Sequence, residues 1–156
     1  MRTSEMELLS PTTVSECLQL LGDTDREYRL LAGGTDAVVR MKEGQWRPAV
    51  WINIRNILDL RFIREDDDGL HIGPLATHSD IVSSALLQTK ANVLVQAARE
   101  VGATQIQNMG TIGGNIANAS PAGDTIPPLY VLDAVIHLQS AKGSRHINIA
   151  DFFTGP

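Results

Sequence analysis

The sequence predicts an α+β fold in two parts: a small parallel βαβ unit over residues 1–56, and a second α+β part over residues 57–156 whose strands are mostly antiparallel. Three observations carry this expectation. A strand pattern, a helix pattern and a second strand pattern succeed one another between residues 28 and 52, the spacing of a short crossover unit. From Arg61 onward, apolar and charged residues bracket an acidic turn, Asp66, Asp67, Asp68 and Gly69, as in a hairpin. A further strand pair turns at Lys142 and Gly143 near the end of the chain.

In chain order, a short apolar segment at residues 6–9 precedes Thr13 and Glu16, which stand three apart as in a capping box. Val14, Cys17, Leu18 and Leu21 follow at helical spacing, and Gly22 closes this first helix. Residues 28–32 read as a buried strand ending in Gly33 and Gly34. Thr35 and Asp36 then open a helix carrying Val38, Val39 and Met41 toward Gly44, and residues 49–52 form the next strand. A parallel crossover leaves the first glycine pair at the carboxyl end of its strand, where open α/β sheets bind ligands. In the second part, Thr77 or Ser79 caps a helix running through Leu87, and residues 91–101 form a longer one with Val95, Ala98 and Val101 inward. Residues 105–124 carry no formal charge until Asp124 and hold four glycines. This stretch is too polar for core and too regular in its apolar spacing for a linker. Pro127 and Pro128 start a short helix to Asp133, and residues 134–139 form a strand.

Composition narrows the function. With 43% hydrophobic and 20% charged residues, the chain is neither collagen, coiled coil nor disordered tail. A net charge of -5 leaves no basic face for a phosphate backbone, so nucleic acid is excluded as a partner. No apolar run reaches the roughly 18 residues of a membrane span, and the N-terminus lacks the apolar core of a signal peptide, so the expectation is a cytoplasmic protein without a membrane partner. One cysteine supplies neither a disulfide nor the thiolates of a zinc site or iron–sulfur cluster, so no metal site is expected in this chain.

The glycines carry the chemistry. Ala32, Gly33, Gly34, Thr35 and Asp36 form one segment, and Gly110, Thr111, Ile112, Gly113, Gly114 and Asn115 another. Each could present consecutive backbone amides, with Thr or Asn beside them, and so hold a pyrophosphate without Lys or Arg. An extended dinucleotide suits such a cleft. Neither segment has the Rossmann or Walker A spacing, and taken singly each also reads as a tight turn without a ligand. Asp124 is either an acceptor for ribose hydroxyls or the N-cap of the helix at Pro127. His71 and His78 read as surface or capping residues, and His137 and His146 lie on the last hairpin, away from the glycines. Cys17 reads as a buried structural thiol, and no side chain stands out as catalytic.

Read together, Leu-Leu-Ala-Gly-Gly-Thr-Asp at 30–36, Gly-Thr-Ile-Gly-Gly-Asn-Ile at 110–116 and Ala-Ser-Pro-Ala-Gly-Asp at 119–124 closely resemble the FAD-binding medium subunit of the molybdenum hydroxylases, the family of xanthine dehydrogenase and carbon monoxide dehydrogenase medium chains. The resemblance extends over the whole chain, including Asp133-Ala134 and the stretch 151–155. It implies a vanillyl-alcohol-oxidase-type FAD-binding fold with FAD clasped between the two parts, only the N-terminal part of the family's chain being present and its C-terminal domain absent. Transferred position by position, the pyrophosphate segment is Leu31, Ala32, Gly33, Gly34, Thr35 and Asp36. The second contact is Gly110, Thr111, Ile112, Gly113, Gly114 and Asn115, with Asn118 and Asp124. The implied function is an oxidoreductase component: the flavoprotein of a multisubunit complex, passing electrons from the 2Fe-2S clusters of a small subunit through FAD to NAD or oxygen, while a molybdopterin-binding large subunit handles the organic substrate. A non-catalytic remnant that keeps the fold and docks to the same partners is the competing expectation.

Overall fold

The computed structural model describes residues 6–22, 26–48 and 50–154. Its first part is a three-stranded parallel sheet in the order β1-β3-β2, built from β1 (Glu7–Leu9), β2 (Tyr28–Leu31) and β3 (Val50–Asn53). Leu9 and Leu30 both stand beside Ile52 in register. The central strand β3 is the one whose side chains are enclosed on both faces, with Val50 and Ile52 fully buried and Trp51 nearly so, as a continuous apolar run in a parallel sheet requires. The expected buried strand at 28–32 is instead an edge strand, with Leu30 47% exposed. Residue 49, expected to open β3, lies outside the described residues.

Helix α1 (Val14–Gly22) begins with the expected capping box: the Glu16 amide donates to Thr13 Oγ1 at 3.2 Å, and Glu16 Oε2 accepts from the amides of Thr12 and Thr13. Those hydrogen bonds, more than any charge, hold the Glu16 carboxyl below its ordinary range. Cys17 packs inward with Ile52, Ile54, Ile57 and Leu75, and burial pushes its thiol up. This core therefore draws Ile57 and Leu75 from beyond residue 56. Helix α2 (Ala37–Lys42) connects β2 to β3.

The second part opens with the hairpin β4 (Ile63–Asp66) and β5 (Gly69–Ile72), paired antiparallel from Ile63↔Ile72 to Asp66↔Gly69. At its tip the Asp68 amide donates to Asp66 Oδ1 at 3.0 Å, so the acidic run is a solvated turn. The single helix expected up to Leu87 is two: α3 (His78–Ser83) and α4 (Ala85–Lys90), separated by Ser84, whose extended backbone ends one and whose hydroxyl caps the other. Helices α5 (Asn92–Glu100), α6 (Thr104–Met109), α7 (Ile112–Asn118) and α8 (Ile126–Val131) follow. The hairpin β6 (Val135–Ser140) and β7 (Gly143–Asn148) and the short α9 (Ile149–Phe152) complete the described chain. Ile81, Leu87, Leu94, Val95, Ala98, Ile112, Leu129 and Ile149 form the core beneath. No helix among the described residues is long and apolar enough to cross a membrane.

Candidate functional site

At the carboxyl end of β2 the chain must leave the sheet and enter α2 within five residues. Gly34 makes this turn with φ of +78°, a conformation a Cβ would strain. The turn leaves its donors unused: among the described residues, the amides of Ala32, Gly33, Gly34, Thr35, Asp36 and Ala37 donate to no protein acceptor. The Asp36 side chain does not cap α2, and the Thr35 hydroxyl reaches only Asp36 Oδ2 at 3.5 Å. A row of free amides round a glycine turn is an anion-binding concavity.

The second glycine segment, expected to present free backbone amides or to form a tight turn, is instead the start of a helix. Thr111 is the N-cap of α7, its Oγ1 accepting from the Gly114 amide at 3.1 Å, and residues 112–118 are helical. Its amides are already engaged: Ile112 donates to Ala76 O, Gly113 to Pro74 O, and Asn115 to Thr111 O. Two glycines in a helix forgo roughly 1 kcal/mol each relative to Ala, and neither has positive φ, so space is their reason. For Gly113 the reason is internal, because a Cβ there would lie 2.6 Å from Pro74 Cβ and 2.7 Å from Pro74 O. Gly114 differs. Its Cβ would meet only the Thr111 hydroxyl, at 3.0 Å, so the far side of this position is open.

The structure brings the two segments together. A Cβ on Gly33 would overlap the Met109 carbonyl oxygen and lie 2.8 Å from its carbon, so glycine at 33 permits backbone contact between the segments. Thr77 bridges Thr111, and the His78 amide donates to Gly110 O at 3.1 Å, which fixes the corner at Gly110 from below. Leu31 lines the turn, its Cδ1 being 3.3 Å from where a Gly34 Cβ would stand. Asn115 Oδ1 accepts from the fully buried Thr125 hydroxyl at 2.8 Å. Asn118 is half-buried on the last turn of α7. Asp124 is exposed, and Thr125, its hydroxyl turned to Asn115 and making no capping bond, stands at the N-cap of α8, so Asp124 is not that helix's cap.

Two residues that lie against the glycine segments escaped the sequence reading. His78, expected at the surface or as a cap, is 2% exposed beneath Gly110, and Thr77 makes the cap. Burial holds the His78 imidazole below its ordinary value, with Asp124 pulling weakly the other way. The signal was present in Thr77-x-x-Asp80, a capping-box spacing that puts residue 78 on the first turn; both of its hydrogen bonds form. Arg55 is the other. It lies just past β3, and its Nη2 sits 3.6 Å from Met109 Sδ, at the seam between the glycine segments.

Comparison with known proteins agrees with this architecture. Residues 4–156 match the family described as the FAD binding domain in molybdopterin dehydrogenase. The chain is 36% identical over 152 residues to the nicotinate dehydrogenase FAD-subunit of Eubacterium barkeri, covering 97% of this chain and 51% of that one. It is 33% identical over 145 residues to the xanthine dehydrogenase FAD-binding subunit of Escherichia coli O157:H7, covering 92% and 49%. A solved carbon monoxide dehydrogenase from Hydrogenophaga pseudoflava superposes with a TM-score of 0.93 at 33% identity, covering 99% of this chain and 54% of that one. The chain thus spans about half the length of the curated relatives it matches, and its fold is the one they share, as the α+β reading expected. By sequence and by fold, the chain belongs to the family of FAD-binding domains of molybdopterin dehydrogenases.

Proposed function

We propose that this chain holds FAD in a cytoplasmic molybdopterin-dependent dehydrogenase and passes electrons from the 2Fe-2S clusters of a small partner subunit through FAD to NAD or oxygen. The organic substrate belongs to a molybdopterin-binding large subunit. The observation that carries the reading is the row of unengaged amides at residues 32–37, set against the Gly110 corner with an open Gly114 beyond it.

The residues present suit FAD. Its pyrophosphate needs donors, and the turn offers them uncommitted, with Leu31 beside them. The Asp36 carboxylate would repel an anion, so this residue contributes through its amide. In the second segment the amides serve the protein. Gly114 therefore offers the closely approachable surface of this wall, while Gly110, Thr111, Gly113 and Asn115 shape and hold the start of α7 and Ile112 anchors it in the core. Asn118 and Asp124 supply polar contacts, Asp124 as acceptor for a ribose hydroxyl. The parts 1–56 and 57–156 form the two walls of this cleft. Bound FAD supplies the redox chemistry, while the chain binds, orients and shields it. No side chain here is required as acid, base or nucleophile. Gel filtration with excess FAD tests the reading: flavin absorbance comigrates with the chain, and NADH reduces it when the partner subunits are added. Absence of flavin from both this chain and a version extended at its C-terminus overturns it.

A further inference from the structure

The binding segments identified above contain no cation, yet Arg55 stands at their seam. Its position is fixed from three sides. The Ile54 amide donates to Leu31 O at 3.0 Å, tying the turn after β3 to the end of β2. Asn53 Oδ1 accepts from the Arg55 amide at 3.2 Å, and Ile54 and Ile57 on either side are buried. From this anchored backbone the side chain runs to Met109, the residue whose carbonyl packs on Gly33. The guanidinium finds there only a thioether at 3.6 Å, a weak acceptor. Arg55 has no carboxylate within 4.0 Å among the described residues, a condition it shares with Arg40, Arg64, Arg99 and Arg145, and what distinguishes it is its place against Met109. A guanidinium on an anchored turn, set against the residue whose carbonyl packs on Gly33 and without a counter-charge, is suited to an anion.

We propose that Arg55 is a binding residue for the dinucleotide, its guanidinium pairing with the pyrophosphate that the amides of residues 32–37 cradle. This rests on the FAD reading above and adds to it a charged contact. Arginine is suited to the task because its planar fork pairs with two phosphate oxygens at once, whereas lysine offers a point charge.

The test uses the exposed position of Arg55, where substitution removes no core contact. Binding of FAD, ADP, adenosine and riboflavin is measured for the wild-type chain, Arg55→Met and Arg55→Lys, with thermal unfolding as the fold control. Loss of a charge-assisted contact weakens FAD and ADP by about tenfold to a hundredfold in Arg55→Met, with a smaller loss in Arg55→Lys. Adenosine and riboflavin, which lack phosphate, are unchanged, and added salt weakens FAD less in Arg55→Met than in wild type. Unchanged FAD affinity in Arg55→Met overturns the proposal alone. Equal loss for adenosine also overturns it, assigning Arg55 to the adenine ring. Failure of both the wild-type chain and the version extended at its C-terminus to bind any of the four removes the FAD reading itself.

Discussion

Replacing Gly114 by Ala separates a glycine kept for a ligand from one kept for the fold. Position 114 lies in the first turn of α7, where Ala in place of Gly gains up to about 1 kcal/mol of helix propensity. Against this stands one contact: the new Cβ sits 3.0 Å from Thr111 Oγ1, which must yield by a few tenths of an ångström. Losing that cap altogether would cost about 1 kcal/mol. The two effects nearly cancel, so the unliganded variant unfolds within about 4 °C of wild type. A methyl group on a surface that FAD approaches closely costs about 1–3 kcal/mol of overpacking, a loss of roughly tenfold to a hundredfold in affinity. Thermal unfolding without FAD and a fluorescence titration with FAD read the two quantities separately. Gly114→Ala binding FAD as tightly as wild type would refute the assignment of α7 as a cofactor wall, and a much lower melting point would show the glycine to be structural.

Gly33→Ala behaves oppositely, because its Cβ meets backbone at Met109 and neither segment can retreat cheaply. Stability falls by about 1–3 kcal/mol, measured by urea unfolding, and FAD binding falls with it. Thr125→Val removes the buried hydroxyl that donates to Asn115 Oδ1 and costs about 1–3 kcal/mol for the acceptor left behind, again read by urea unfolding. His78 governs a pH dependence. Its imidazole is depressed in the folded chain, chiefly by burial, so the unfolded chain binds more protons near the ordinary imidazole value of about 6.5. The stability this contributes is present above that value and is lost as pH falls through it toward the folded value. Urea midpoints measured from pH 8 to 5 decline more steeply for wild type than for His78→Met.

The strands, the hairpin turns and the glycine turn after β2 were legible because each rests on local chemistry: alternation, Asx turns, capping boxes, glycine at positive φ. Thr13 and Glu16 specified the start of α1 from four residues of sequence, and the structure forms the same box. The nature of the second glycine segment was not legible. Gly113 and Gly114 argue against a helix on propensity, but Ile112 is drawn into the core and Pro74 crosses Gly113 so closely that only glycine fits. Tertiary packing overrode the local preference. For His78 the capping box of Thr77 and Asp80 gave its place on the first turn of α3, but its burial comes from Gly110, which the fold lays over it from more than thirty residues away. Arg55 reads as an ordinary surface arginine until the fold lays it against Met109, 54 residues away. Exposure on β2 was missed for a related reason, since an apolar run does not say whether its strand is central or at the edge.

The FAD reading requires the dinucleotide to lie across the amides of residues 32–37. Amide chemical shifts followed through an FAD titration of the isotopically labelled chain test this directly. The expected result is saturable movement of Ala32, Gly33, Gly34, Thr35, Asp36 and Ala37, with Gly114 on the facing helix moving along the same curve and the hairpin-tip glycines Gly69 and Gly143 still. Saturable binding that moves the hairpin tips and leaves residues 32–37 in place would contradict it.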